Sequence, residues 1–118
     1  MTWALQFDGV NDYLTISTVT IPASTPFEIE WRGTVPADYA RVFGTSTNSS
    51  RSRLLIFNST QEVRLSDSVG TAAQFTAPTY TKTDYNTFKF VRDGSNNLSF
   101  YLNGVFVSTI AGWTGGFS

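Results

Sequence analysis

FKFVRDGSNNLSFYLNGVFVSTI, residues 88–110, decides the class of this chain. Three short apolar-rich runs are joined by two turn signals. Asn103-Gly104, set between Leu102 and Val105, is a strong hairpin mark, because a type I′ turn needs two residues that tolerate positive φ. Residues 92–97 supply a longer, polar turn before it. The expectation is a ribbon of three antiparallel strands.

A two-residue loop sets Leu102 and Val105 opposite each other on one face. Alternation then sends Leu98, Phe100, Leu102, Val105 and Val107 into the core, and Ser99, Tyr101, Phe106, Ser108 and Ile110 outward. Tyr101 and Phe106 become direct cross-strand partners, a pairing worth ~0.5–1 kcal/mol. An outward Tyr–Phe–Ile patch has two readings: the segment 72–83 folds over it, or it is a contact surface for another subunit. Tyr101, Phe106 and Ile110, with Trp113 and Phe117 beyond them, are the interface candidates.

Working outward, period-two alternation recurs and no helical period competes with it. Trp3, Leu5 and Phe7 share one face of a first strand. Residues 8–12 form a turn, and 13–17 a second strand with Leu14 and Ile16 on one side. FEIEWR (residues 27–32) puts Phe27, Ile29 and Trp31 inward and Glu28, Glu30 and Arg32 outward, the pattern of a half-buried strand. Residues 42–43, 53–57 and 61–65 continue the series, the last two joined by a turn at Asn58-Ser59-Thr60. Residues 54–57 are apolar on both sides and predict a central strand with both faces covered. Residues 72–83 predict one edge strand and a loop. Nine or ten short strands make one all-β domain over residues 1–118, a two-sheet antiparallel sandwich. A closed barrel is the alternative, and uneven strand spacing disfavours it.

Composition narrows the function. The chain has 118 residues, 15% aromatic and only 14% charged, with eight basic and nine acidic residues and a net charge of −1. That length buries roughly two-thirds of the unfolded surface. No basic cluster exceeds Arg51 and Arg53, so binding driven by phosphate contacts is disfavoured and no nucleic-acid partner is expected. There is no Cys and no His, which removes disulfides, thiolate metal sites, the commonest general base and the commonest metal ligand. No apolar run approaches a membrane span, and the first residues lack the pattern of a signal peptide.

Three segments in order resemble the concanavalin A-like lectin/glucanase superfamily, in its laminin-G-like branch: ALQFDGVNDYLTI (residues 4–16), PFEIEWRGTV (26–35) and FKFVRDGSNNLSFYLNGVFV (88–107). The resemblance implies a jelly-roll-like sandwich. That branch closes with a further strand after the Asn-Gly hairpin, whereas here GWTGGFS (residues 112–118) follows. One sheet is therefore expected either to lack its last strand, leaving unpaired backbone groups, or to be covered by residues 113–117.

The superfamily includes glucanases, so catalysis needs testing. Glycosidases use two carboxyl groups about 5 Å apart or roughly 6.5–9.5 Å apart, and Glu28 and Glu30 share a strand face with Cα atoms ~6.6 Å apart. The superfamily's hydrolases carry a further acidic residue along that strand; here Arg32 and Thr34 stand there, and Arg32 reads as an ion-pair partner of Glu30. Without His or Cys, serine and thiol mechanisms lack a base. The expectation is no enzyme and no catalytic residue.

Calcium is the one cofactor left open, through Asp8, Asn11 and Asp12, although the same residues serve a strand-to-strand turn. Tyr39, Tyr80 and Tyr85 are loop candidates for stacking on sugars. The sequons at Asn48, Asn58 and Asn97 read as coincidental. Relatives of this branch are typically extracellular, while this chain lacks signal peptide, Cys and His. A bacteriophage virion protein meets both conditions, being made and assembled in the host cytoplasm and released by lysis. The resemblance thus implies a capsid decoration (cement) or tail-associated module, partnered by other virion subunits as a homo-oligomer or on the particle, and by host glycans. A stand-alone lectin and a degenerate glucanase are the alternatives.

Overall fold

The computed structural model describes residues 20–35, 39–44, 52–57 and 59–118. Eight strands run in chain order: β1 (Phe27–Gly33), β2 (Tyr39–Phe43), β3 (Arg53–Phe57), β4 (Glu62–Ser66), β5 (Ala72–Thr76), β6 (Asn86–Arg92), β7 (Leu98–Leu102) and β8 (Val105–Ile110). They form two antiparallel sheets of four, ordered β1-β6-β7-β8 and β2-β3-β4-β5. No helix occurs among the described residues. The two strands expected within residues 3–17 lie outside them.

The ribbon read from residues 88–110 is present as β6, β7 and β8. Asn103 and Gly104 have φ of 52° and 81°, the two positive values that a type I′ turn requires. In the longer turn, the Asp93 carboxylate accepts from the amides of Ser95 (2.8 Å) and Asn97 (3.0 Å) and from the Asn97 side chain (3.1 Å). Those hydrogen bonds, Asn97's first, hold the Asp93 carboxyl below its usual range. Asn97 of the third sequon is thereby tied into the turn.

The sheets meet through aromatic rings. Phe88, Phe90 and Phe100, fully buried, project from β6 and β7, with Phe90 and Phe100 stacked at 5.1 Å. From the opposite sheet Phe75 reaches them at 5.9 Å and 5.4 Å, beside Leu54, Ile56, Val63 and Leu65. β3 lies between β2 and β4, the central position its sequence predicted. The loop to β4 is longer than Asn58-Ser59-Thr60: Phe57 pairs with Glu62, and Gln61, at φ 56°, belongs to the turn. β5 is an edge of its sheet among the described strands, as expected.

Part of the face assignment on β8 is overturned. A bulge shifts the β7–β8 register, so Tyr101 pairs with Phe106 but Phe100 pairs with Ser108, and Leu98 with Ile110. An extra residue in one strand inverts the inward–outward phase beyond it. Ile110 therefore packs against the core instead of joining the outward patch. Val105, placed inward by strict alternation, is 68% exposed at the end of β8.

The chain end closes the sandwich. Ile21 and Phe117 exchange both backbone hydrogen bonds (2.9 and 2.8 Å), and Gly116 accepts from the Ser68 amide (2.7 Å). Residues 113–118 thus tie the β6–β7 turn, through the Trp113 amide donating to the Asn96 carbonyl (3.1 Å), to Ser68 just beyond β4. Gly116 is needed for that approach, since a Cβ there would lie 2.8 Å from the Ile21 carbonyl oxygen.

Candidate functional site

The outward face of the β1-β6-β7-β8 sheet follows from alternation and register. Glu30 lies opposite Lys89, and Arg32 opposite Thr87; Lys89 lies opposite Tyr101, and Val91 opposite Ser99. Tyr101 faces Phe106, ring edge to ring face at 5.7 Å, as the sequence predicted. Ser99 and Thr109 share a hydroxyl hydrogen bond of 2.8 Å.

The charges on this face are arranged otherwise than expected. The ion pair joins Glu28 to Lys89 at 4.0 Å, not Glu30 to Arg32. Lys89 also lies over the Tyr101 ring, 4.9 Å from its centre. The Arg32 guanidinium lies over Tyr85 at 5.8 Å, and Tyr85 is 61% exposed. Between these groups lies a hollow of about 270 Å³, lined by Glu30, Arg32, Tyr85, Thr87, Lys89, Asn103 and Gly104. Its turn wall is rigid. Asn103 accepts from the Thr87 amide (2.8 Å), donates to the Asn86 side chain (2.9 Å), and its own amide donates to the Thr87 carbonyl (2.8 Å).

A second, apolar hollow of about 510 Å³ lies at the β8 edge, between Ala77 and Pro78 on one side and Leu102, Val105 and Val107 on the other. Residues 76–78 border the aromatic patch without covering it, and Phe106 remains 55% exposed. The expectation that segment 72–83 folds over the patch therefore fails.

Of the other interface candidates, Trp113 and Phe117 are buried within the chain. Phe27 meets the Trp113 ring at 6.4 Å and the Phe117 ring at 5.6 Å, so neither is offered to a partner. Among the sugar candidates, Tyr80 is half-buried, edge-on to Phe88 at 5.6 Å, and burial raises its hydroxyl pKa. It is a packing residue. Tyr39 lies in β2, not in a loop, and Tyr85 has an exposed ring. Asp8, Asn11 and Asp12 lie outside the described residues. Among the described ones, no group of three or more Asp and Glu is placed to hold a metal.

The residue that sequence reasoning missed is Arg92. Read as part of a polar turn, it ends β6 in the inward phase and is 1% exposed. Its guanidinium donates to the carbonyls of Thr25 (2.9 Å), Pro22 (3.2 Å), Trp113 (3.4 Å) and Gly115. It also lies over the rings of Phe27 (4.7 Å) and Trp113 (5.4 Å). Desolvation lowers its pKa, but arginine remains charged from so high a starting value. The available signal was phase: Phe88, Phe90 and Arg92 share one face of β6.

Compared with models of known protein families and with curated proteins, the chain matches none.

Proposed function

We propose that this chain is a non-catalytic module of a bacteriophage virion surface, a capsid decoration or tail-associated protein that works by docking to other subunits. The observation that carries this reading is the outward Tyr101–Phe106 pair beside β8. Over residues 98–110 the chain carries no charged side chain, and β8 is an edge among the described strands. Natural edge strands are commonly guarded by charge. Here Lys89 of β6 lies over Tyr101, while Phe106, on the edge strand itself, is more than half exposed, the kind of aromatic area that protein interfaces use. The finer fold assignment, a laminin-G-like, concanavalin A-like jelly roll, belongs to the same proposal. Segment resemblance and the pair of four-stranded antiparallel sheets support it.

A non-catalytic role is supported by the glutamates on β1. Glu28 is paired with Lys89, and Glu30 opens beside Arg32 and Lys89 with no second carboxylate among the described residues that line its hollow. The test is native mass measurement of the wild type and of Phe106→Asp, with circular dichroism on both. Assembly lost with the β-spectrum retained is the expected result; a wild type that is monomeric at every concentration sinks the docking role. Genes for capsid or tail subunits flanking its own are the expected setting. A second reading, host-glycan recognition, is favoured by one observation, the polar hollow beside Tyr85.

A further inference from the structure

Building on glycan recognition as the second reading, we infer that the hollow between Tyr85 and the Asn103-Gly104 turn is a binding site for one neutral pyranose ring. Its volume of about 270 Å³ lies near the lower end of small-ligand sites, roughly 300 Å³, the scale of a single sugar ring. The floor is the outward grid of β1 and β6, where Glu30 stands against Lys89 and Arg32 against Thr87. The walls are the exposed Tyr85 ring on one side and the hydrogen-bonded turn on the other.

Charge selects the ligand class. The hollow is lined by Glu30, Arg32 and Lys89. Lys89 pairs with Glu28 outside it, which leaves Glu30 and Arg32 in balance and no excess field to hold an anion or a cation. Glu30 and Arg32 share a face two residues apart and do not pair with each other. Instead, Arg32 is held over Tyr85. The hollow therefore offers a carboxylate that only accepts and a guanidinium that only donates. Hydroxyl groups do both, and a ring bearing several of them satisfies Glu30, Arg32 and Thr87 together. Tyr85, with Arg32 over its ring, adds exposed apolar surface at the rim for the apolar side of such a ring. At Gly104 a Cβ would meet nothing within 4 Å, so the turn wall stays open to the next sugar of a chain.

The experiment is an amide-resolved NMR titration of the intact chain with cellobiose, maltose, lactose and glucuronic acid, repeated on Tyr85→Ala and Arg32→Ala. Both side chains are exposed, so the variants keep the wild-type amide pattern elsewhere. The expected result is saturable movement at residues 30, 32, 85, 87, 89 and 104 with a neutral disaccharide. Affinity should fall about tenfold in each variant, equivalent to ~1.4 kcal/mol. Saturable binding that maps elsewhere, or that both variants retain unchanged, overturns this site while glycan recognition survives. Tighter binding of glucuronic acid overturns the neutral class. No binding of any probe overturns the site and glycan recognition together, and leaves the Phe106-dependent assembly to stand or fall on its own measurement.

Discussion

Replacing Arg92 with Met keeps the length and apolar stem of the side chain and removes the cation and its five donors. In the wild type those donors reach four backbone carbonyls on two separate segments, Pro22 and Thr25 on one and Trp113 and Gly115 on the other. Hydrogen bonds to a charged group contribute ~1.5–3 kcal/mol each, and a buried acceptor left without a donor costs about 1–3 kcal/mol. Their sum is an overestimate, because the variant also escapes the cost of burying a charge. Water can re-solvate the exposed Pro22 carbonyl, whereas that of Trp113 belongs to a buried residue. A net loss of about 3–5 kcal/mol is expected, the range for breaking one side of a buried charged network. Urea unfolding followed by tryptophan fluorescence reads it, with Trp113 as a reporter inside the cluster. Arg92→Lys should recover less than half of the loss, since one ammonium cannot span carbonyls on both segments. A Met variant within about 0.5 kcal/mol of wild type, the scatter of an ordinary surface change, would refute the idea that this guanidinium clamps the chain end to the sandwich.

Other outcomes follow from the same geometry. Phe106→Asp should leave the urea midpoint nearly unchanged while abolishing assembly, because the side chain is more than half exposed. Phe100→Ala should cost ~3–5 kcal/mol, read by chemical unfolding, because its ring touches Phe75, Phe88 and Phe90. Gly116→Ala should lose ~1–3 kcal/mol through the clash with Ile21, with the midpoint of thermal unfolding as the readout. The Asp93 carboxyl is depressed by its hydrogen bonds. Its contribution is therefore present above the ordinary carboxylate pKa and lost as the pH falls through the lower folded value. Asp93→Asn should flatten the acid limb of stability below pH ~4, and an unchanged limb would count against the turn's role.

The legible parts of the fold were those written in local chemistry. Phe27, Ile29 and Trp31 alternate with Glu28, Glu30 and Arg32, and that period needs no partner strand to be recognised. Asn103-Gly104 announces its turn because few residue pairs accept two positive φ values. Tyr101 and Phe106 could be paired from the sequence because they flank that turn before the bulge intervenes. Ile110, only four residues on, could not, because nothing in VFVSTI marks where an extra residue will be accommodated. Arg92 was misread for a related reason. Its neighbours Asp93 and Gly94 are turn formers, and the carbonyls that make its burial tolerable come from residues as far away as Pro22 and Gly115.

The candidate site was legible only in pieces. Glu30, Arg32, Tyr85 and Asn103 span more than seventy residues of sequence, and each has an ordinary local explanation. Their convergence depends on β1 pairing with β6 across the long excursion through the other sheet.

Sequence by itself determined that this is an all-β chain with an antiparallel hairpin ribbon, poor in charge and lacking His and Cys, because backbone sterics and side-chain inventory act residue by residue. Tertiary structure alone decided which apolar residues are spent inside, that Trp113 and Phe117 close the sandwich around a buried arginine, and that the hollow lies beside Tyr85. Those outcomes depend on strand register and on contacts between distant segments, and a one-residue shift in register exchanges the inside of a strand for its outside.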